Sequence, residues 1–368
     1  MDFELPPDAV MLCDMLRRFV EDEAKPLEMK FFTSGDLDAK ERLRLQKVVE
    51  QMGLWGITVP EKFGGGGLDT VTACLLEEEL GKTFVPVEIG DIPPLLYACQ
   101  GEQIKRFLEP ALAGERRPFL ALREPGAVRP EAWTTTAAQA GEAYLLNGIK
   151  LLSGMPAPHD FVVLFAAMRQ GPGVFLLDAN QPGLQLQTNG GVTAQLSDCL
   201  AGPEAVLGEP GQAFALGSAE APLAGIRLGA RYAGLAQRLL SMAVEYARDW
   251  QSLGGALKDR PAVQGMLAEL QVQIECTRWL VYHAAWLADR QKLQQMTAAE
   301  VRLATEELLK RAADLVTMVF GGSGPSPQVE LQRFVRSAIP MEAFEAGLEY
   351  TRRAIALHLL AQAKEGEA

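Results

Sequence analysis

The sequence predicts a mainly α-helical protein with a β segment in its middle. Three observations carry this. Residues 1–117 hold apolar positions at helical spacing, as in MLCDMLRRFVEDEA and AKERLRLQKVVEQMGLWG. Residues 118–215 hold short apolar or alternating runs (AYLLNGIKLLSG, FVVLFAAM, GVFLLD, LQLQTNGG) punctuated by Gly, Pro, Asn and Asp, the texture of strands and turns. Residues 216–368 hold four helical stretches near or above 20 residues, each with an apolar stripe, which short connections would fold into an antiparallel bundle. The expected domains are therefore 1–117, 118–215 and 216–368.

In the first segment, Pro60 and the run Gly64 to Gly67 break the helical pattern in GITVPEKFGGGGLD. TVTACLLEEELGK resumes it, with Gly81 as the stop signal. In the second, Asn147-Gly148 between apolar runs is the sharpest hairpin signal of the chain. In the third, Trp279 and Trp286 lie a heptad apart and are expected in the bundle core.

Bulk composition narrows the function. A net charge of −12 argues against duplex nucleic acid or an anionic membrane surface as the main partner. No run of about 18 apolar residues is free of charge, so no membrane span is expected. The stretch MDFELPPDAV lacks the basic start and apolar core of an export signal. Five scattered cysteines without CxxC read as buried thiols in a reducing cytoplasm. Three histidines without ligand spacing predict no metal site.

Eight short strings in one order carry a family likeness. They are GLWGITVPEKFGGGGLD, EEELGK, REPGA, YLLNGIK with HDFVVLFA, PEAVLGEPG, GLAQR, FGGSG and FEAG. Together they resemble the acyl-CoA dehydrogenase family over nearly the whole chain. The resemblance implies an N-terminal helical domain, a β-barrel-like middle domain and a C-terminal four-helix bundle. It implies FAD as cofactor, bound with help from a neighbouring subunit, and an acyl-CoA thioester that loses hydrogen from Cα and Cβ. A tetramer and a separate electron-acceptor protein are expected from the same likeness.

That reaction needs a base at Cα, and a carboxylate of raised pKa suits the role. The register from Arg336 and FGGSG places Glu345 at the family's base position. Glu342, Glu345, Glu349 and Arg353 also recur at the spacing of a solvated helix face, and Glu245 and Glu275 are the alternative bases. The resemblance assigns cofactor contacts to Leu122, Arg123, Leu152, Ser153, Gly321, Gly322 and Glu349, and CoA contacts to Arg227 and Arg231.

The flavin positions depart from the family pattern. This chain has Arg123 where Thr is usual, and Val128, Arg129 and Pro130 where Gly-Ser-Asp is usual. Leu152 stands at a Trp position, with Ser153 beside Gly154 at a Thr position. Trp250 replaces the Arg that pairs with the diphosphate of the neighbour's FAD, a charge-assisted contact Trp cannot make. Leu253-Gly254, Pro261, Gln264 and Met318 continue the divergence. Two readings follow. In one, Arg123 and Arg129 substitute for lost donors. In the other, the chain is half of a hetero-oligomer of unlike subunits, as a catalytic member or as a non-catalytic partner without its own FAD. The acyl group stays open, because one scaffold serves short, branched and polycyclic chains.

Overall fold

The computed structural model describes residues 4–34, 37–126, 132–152, 156, 158–188, 192–216, 221–252, 255–323 and 348–365. The chain forms two compact units. One comprises Met1–Thr58, Gly67–Ile89 and Pro222–Ala368, and the other Val59–Gly66 and Gly90–Ala221.

The first unit is helical. Helices α1 (Pro7–Phe19), α2 (Glu28–Ser34), α3 (Ala39–Gln51) and α4 (Thr70–Leu80) precede α6 (Ala221–Asp249), α7 (Pro261–Asp289), α8 (Gln295–Phe320) and α9 (Leu348–Glu365). Asp38 and Asp69 cap α3 and α4, their carboxylates accepting from the amides of Glu41 and Thr72. Gly81 ends α4 as expected, but in a right-handed conformation. A Cβ there would overlap the Arg231 carbonyl, and one at Gly234 would overlap the Glu78 carbonyl. The glycines of EEELGK and GLAQR are thus where α4 and α6 bring their backbones together.

α4 is buried from Thr72 to Leu80, including three adjacent carboxylates. Successive helical residues point about 100° apart, so Glu77, Glu78 and Glu79 address three different helices. Glu77 accepts from Arg231 Nε at 2.6 Å and Arg227 Nη2 at 3.2 Å on α6. Glu78 accepts from Arg278 Nε at 2.8 Å and the Tyr282 hydroxyl at 2.6 Å on α7. Glu79 accepts from Arg17 Nη2 on α1 at 2.9 Å. Burial and the Glu78 charge push the Tyr282 phenol far above its ordinary pKa, which keeps it a donor.

The second unit holds the short helix α5 (Glu109–Leu112) and is built on one eight-stranded sheet. Its strands are β1 (Pro118–Ala121), β2 (Thr136–Ala140), β3 (Ala143–Leu152), β4 (Phe161–Met168), β5 (Gly171–Asp178), β6 (Leu184–Thr188), β7 (Val192–Ala201) and β8 (Val206–Leu207). Their order is β6-β7-β3-β2-β4-β5-β8, with β1 parallel to β4. The barrel-like expectation is corrected here: the path is open, and β6 and β8 do not pair to close it among the described residues. Both faces are covered, so FVVLFAAM is a continuous apolar run rather than an alternating one. Val162, Leu164 and Ala166 enter one core, and Phe161, Val163 and Phe165 enter the other.

Asn147-Gly148 is not a hairpin turn. β3 runs through it, with a register shift against β7 between Leu146 and Gly148. Gly148 takes φ +142°, and a Cβ there would overlap Thr135, so the glycine serves a bulge. The β2–β3 turn is Gly141-Glu142, with Gly141 at φ +67°.

Two further expectations change. Trp279 and Trp286 are 49% and 42% exposed, on a face of α7 that also carries exposed Val272. Four cysteines are buried, but Cys276 on α7 is exposed. Among the described residues no helix is long and apolar enough to cross a membrane.

Glu78→Ala leaves Arg278 without its principal buried partner and is expected to cost about 3–5 kcal/mol. Gly234→Ala forces α4 and α6 apart and is expected to cost about 1–3 kcal/mol. Urea unfolding of each variant against the parent measures both.

Candidate functional site

The sheet unit delivers the first set of candidate residues on two adjacent chain ends. β1 leads into Leu122, Arg123 and Glu124, and β3 ends in Lys150, Leu151 and Leu152. One antiparallel bridge joins them, with the Leu151 amide donating to the Arg123 carbonyl at 2.8 Å. Leu122 is exposed, whereas Leu152 is 3% exposed and packs into the sheet core. So Leu122, Arg123 and Leu152 come together, but the Leu152 side chain points inward.

Beneath this edge lies a charge pair that sequence reading did not single out. Lys150 is fully buried. Its Nζ contacts Glu124 Oε1 at 2.9 Å, donates to the Leu122 carbonyl at 3.1 Å and sits 3.9 Å from the centre of the Trp133 ring. Glu124 also accepts from the Thr134 amide at 2.6 Å, the Thr134 hydroxyl at 2.9 Å and the Thr135 amide at 2.9 Å. Burial opposes the charge on Glu124, yet these donors hold its carboxyl down at about 2. Burial moves the Lys150 ammonium in the same downward direction. The available signal was a lysine inside the apolar run GIKLL. Trp133 packs in turn on Phe165 and the exposed Phe214.

In the helical unit, Gly321 and Gly322 follow the end of α8. Gly321 takes φ +55°, and a Cβ at either would meet open space. Arg227 and Arg231 are brought together on Glu77. Of the alternative bases, Glu275 pairs with Arg278 and Glu245 lines a cleft at the end of α6. Glu345, Ser153 and residues 128–130 lie outside the described residues, and for Glu349 only the helical backbone of α9 is described.

That cleft, of about 400 Å³, is lined by Arg238, Met242, Glu245, Tyr246, Asp249, Trp250 and Phe320. Three rings stack in it. Phe320 and Tyr246 lie 4.1 Å apart at 16°, and Tyr246 and Trp250 lie 5.3 Å apart at 15°. Arg238 turns to Glu28 at 3.5 Å, and Asp249 takes both Arg248 contacts at 2.7 and 3.0 Å. The sequence signal for the stack was the i, i+4 pair Tyr246 and Trp250.

The two regions suit different parts of FAD. Within the sheet unit, the exposed Leu122 edge suits a planar, largely apolar ring; within the helical unit, the backbone at Gly321 and Gly322 is open. The α6 cleft offers a diphosphate one guanidinium, Arg238, with two carboxylates, Glu245 and Asp249, in the same lining.

Stability should report the Glu124 charge. Its folded pKa of about 2 lies below the ordinary 4.5. Its contribution is therefore complete above pH 4.5 and lost as pH falls towards 2, on the order of 3 kcal/mol. The melting difference between the parent and Glu124→Gln is expected to stay constant above pH 5 and to close below 4.5.

Comparison with known proteins agrees with this architecture. Residues 6–115 match the family model for the acyl-CoA dehydrogenase N-terminal domain, and residues 222–360 match that for the C-terminal domain. The chain is 30% identical to (R)-benzylsuccinyl-CoA dehydrogenase of Thauera aromatica, across 98% of this chain and 97% of that protein. It is also 30% identical to the human mitochondrial short-chain specific acyl-CoA dehydrogenase, across 97% and 91%. The solved FAD complex of PigA shares the fold with a TM-score of 0.86 at 22% identity, across 98% of this chain and 99% of that one. The chain belongs to the acyl-CoA dehydrogenase family, whose members are FAD flavoproteins that oxidise acyl-CoA.

Proposed function

We propose that this chain carries out α,β-dehydrogenation of an acyl-CoA thioester as one subunit of a hetero-oligomer, with Glu345 as the base at Cα. The observation that carries the division of labour is the cleft at the end of α6. Its lining sets Glu245 and Asp249 beside a stack of three rings and holds a single guanidinium, that of Arg238, which reaches Glu28 at 3.5 Å. A second, unlike subunit of the same family would supply further positive charge.

FAD, when bound, supplies the acceptor for the hydride leaving Cβ. The protein's own tasks are to hold the thioester, polarise it and remove the Cα proton. Glu345 is proposed for the proton from its register behind Arg336 and FGGSG. Leu122, Arg123, Ser153, Gly321, Gly322 and Glu349 are the proposed ring contacts, with Leu152 contributing backbone. Arg227 and Arg231 remain the proposed contacts for the CoA moiety. Both already donate to Glu77, so a CoA phosphate would share their guanidinium groups with that carboxylate. A separate electron-acceptor protein in the cytoplasm completes the turnover.

Assembly is supported by α7, whose exposed Val272, Trp279 and Trp286 recur every seven residues. Such a stripe on a 29-residue helix is a seam for another helix.

Three results are expected. The chain co-expressed with its neighbouring gene product is yellow, while the isolated chain holds less than stoichiometric FAD; a full complement in the isolated chain would remove the division of the site. In that complex Glu345→Gln keeps the colour and lowers dye-linked dehydrogenation by roughly 10²–10⁴; an unchanged rate would sink Glu345 as the base. Trp279→Asp lowers the assembly mass by light scattering while far-ultraviolet circular dichroism stays the same, because the residue is half exposed.

A further inference from the structure

We infer that Lys150 and Glu124 are positioning residues for the flavin ring, acting through the Leu122–Glu124 edge that they hold against the end of β3. The inference rests on the flavin reading above and assigns the pair a role within it.

The starting point is a lysine where a sheet interior would normally hold an apolar side chain. Burying an ammonium is costly, and an apolar residue of similar volume is often as good for stability. The side chain is therefore better explained by what it ties together than by net stabilisation. Its Nζ reaches three groups: the Glu124 carboxylate at 2.9 Å, the Leu122 carbonyl at 3.1 Å and the face of Trp133 at 3.9 Å. Leu122 and Glu124 follow β1, whereas Trp133 precedes β2. Glu124 extends the tie to the amides of Thr134 and Thr135. One buried pair thus fixes three pieces of chain: the residues after β1, those before β2 and the end of β3.

Beyond Ala121 the regular strand pairing of β1 is over, and one isolated bridge to β3 follows, with the Leu151 amide donating to the Arg123 carbonyl at 2.8 Å. Leu122 itself is exposed, so side-chain packing does not anchor it. Without the pair, the edge proposed to face the ring would lose its tie to the buried side of the sheet.

Loss of Lys150 alone would leave the buried Glu124 carboxylate without its counter-charge, so the informative variant neutralises both: Lys150→Met with Glu124→Gln. A glutamine at 124 can still accept from Thr134 and Thr135. The assay uses the co-expressed complex, with three readouts: melting temperature, amide hydrogen exchange at Leu151, Thr134 and Thr135, and FAD dissociation constant with the visible spectrum of the bound flavin. The double variant is expected to fold, to exchange faster at Leu151, to bind FAD about tenfold more weakly and to shift the flavin absorption band. If the double variant binds FAD as tightly as the parent and with the same spectrum, the pair is only structural and the inference fails while the flavin reading stands. If the parent complex takes up no FAD, the flavin reading fails and takes the inference with it.

Discussion

The helical unit depends on one arrangement, three adjacent carboxylates inside a buried helix. Glu77, Glu78 and Glu79 cannot reach water, and helical geometry forbids them from sharing one partner. Each must therefore meet its own cation on a different neighbour, and α6, α7 and α1 supply Arg231, Arg278 and Arg17. Misplacing any one helix leaves a buried charge without its counter-charge, which is far worse than the same charge in water. The arrangement contributes orientation more than net stability. It also explains why glycine stands at 81 and 234, since the carboxylates reach their partners only if α4 and α6 lie backbone to backbone.

The sheet unit repeats the device on a smaller scale. Its interior is apolar on both faces, which stabilises the sheet but leaves its chain ends unspecified. The Lys150–Glu124 pair specifies one of them. In both units a charge is buried where a helix or a strand end has to sit in one place, and apolar packing fills the rest. Arg227 and Arg231 show how this bears on site assignment. A guanidinium near a proposed ligand is not thereby a ligand contact, because a buried carboxylate such as Glu77 has the prior claim on its donors.

Much of this was legible in the sequence. The four long helices, the strand-rich middle and the stop at Gly81 follow from periodicity and from glycine, and Gly321 and Gly322 stand just past the helix that ends at Phe320. The failures share a cause, which is that local pattern does not reveal what lies across from a residue. Asn147-Gly148 has the chemistry of a hairpin turn, but β7 pairs along both sides of it, and the glycine is needed because Thr135 leaves no room for a side chain. Trp279 and Trp286 have the spacing of a core stripe, but α7 already buries Leu270, Ile274, Thr277 and Val281 on its other face. The apolar middle segment fits a barrel as well as an open sheet, since both bury alternate residues, and only pairing at the two outer strands distinguishes them. Lys150 was overlooked because a single charge in an apolar run reads as a solvated edge.

The same contrast bears on the α6 cleft. A chain that had merely lost a cation at position 250 would leave a polar gap facing solvent. Here the position is filled by a ring that continues an ordered stack, Phe320 on Tyr246 on Trp250, with interplanar angles of 16° and 15°. Stacked rings at such separations are mutually stabilising, so the replacement is built into the end of α6. The nearby cations face carboxylates, Arg238 towards Glu28 at 3.5 Å and Arg248 to Asp249 at 2.7 Å. This aromatic end of α6 is the ground for the unlike neighbour proposed above: on that reading the partner brings its own cation and presents an apolar group to Trp250.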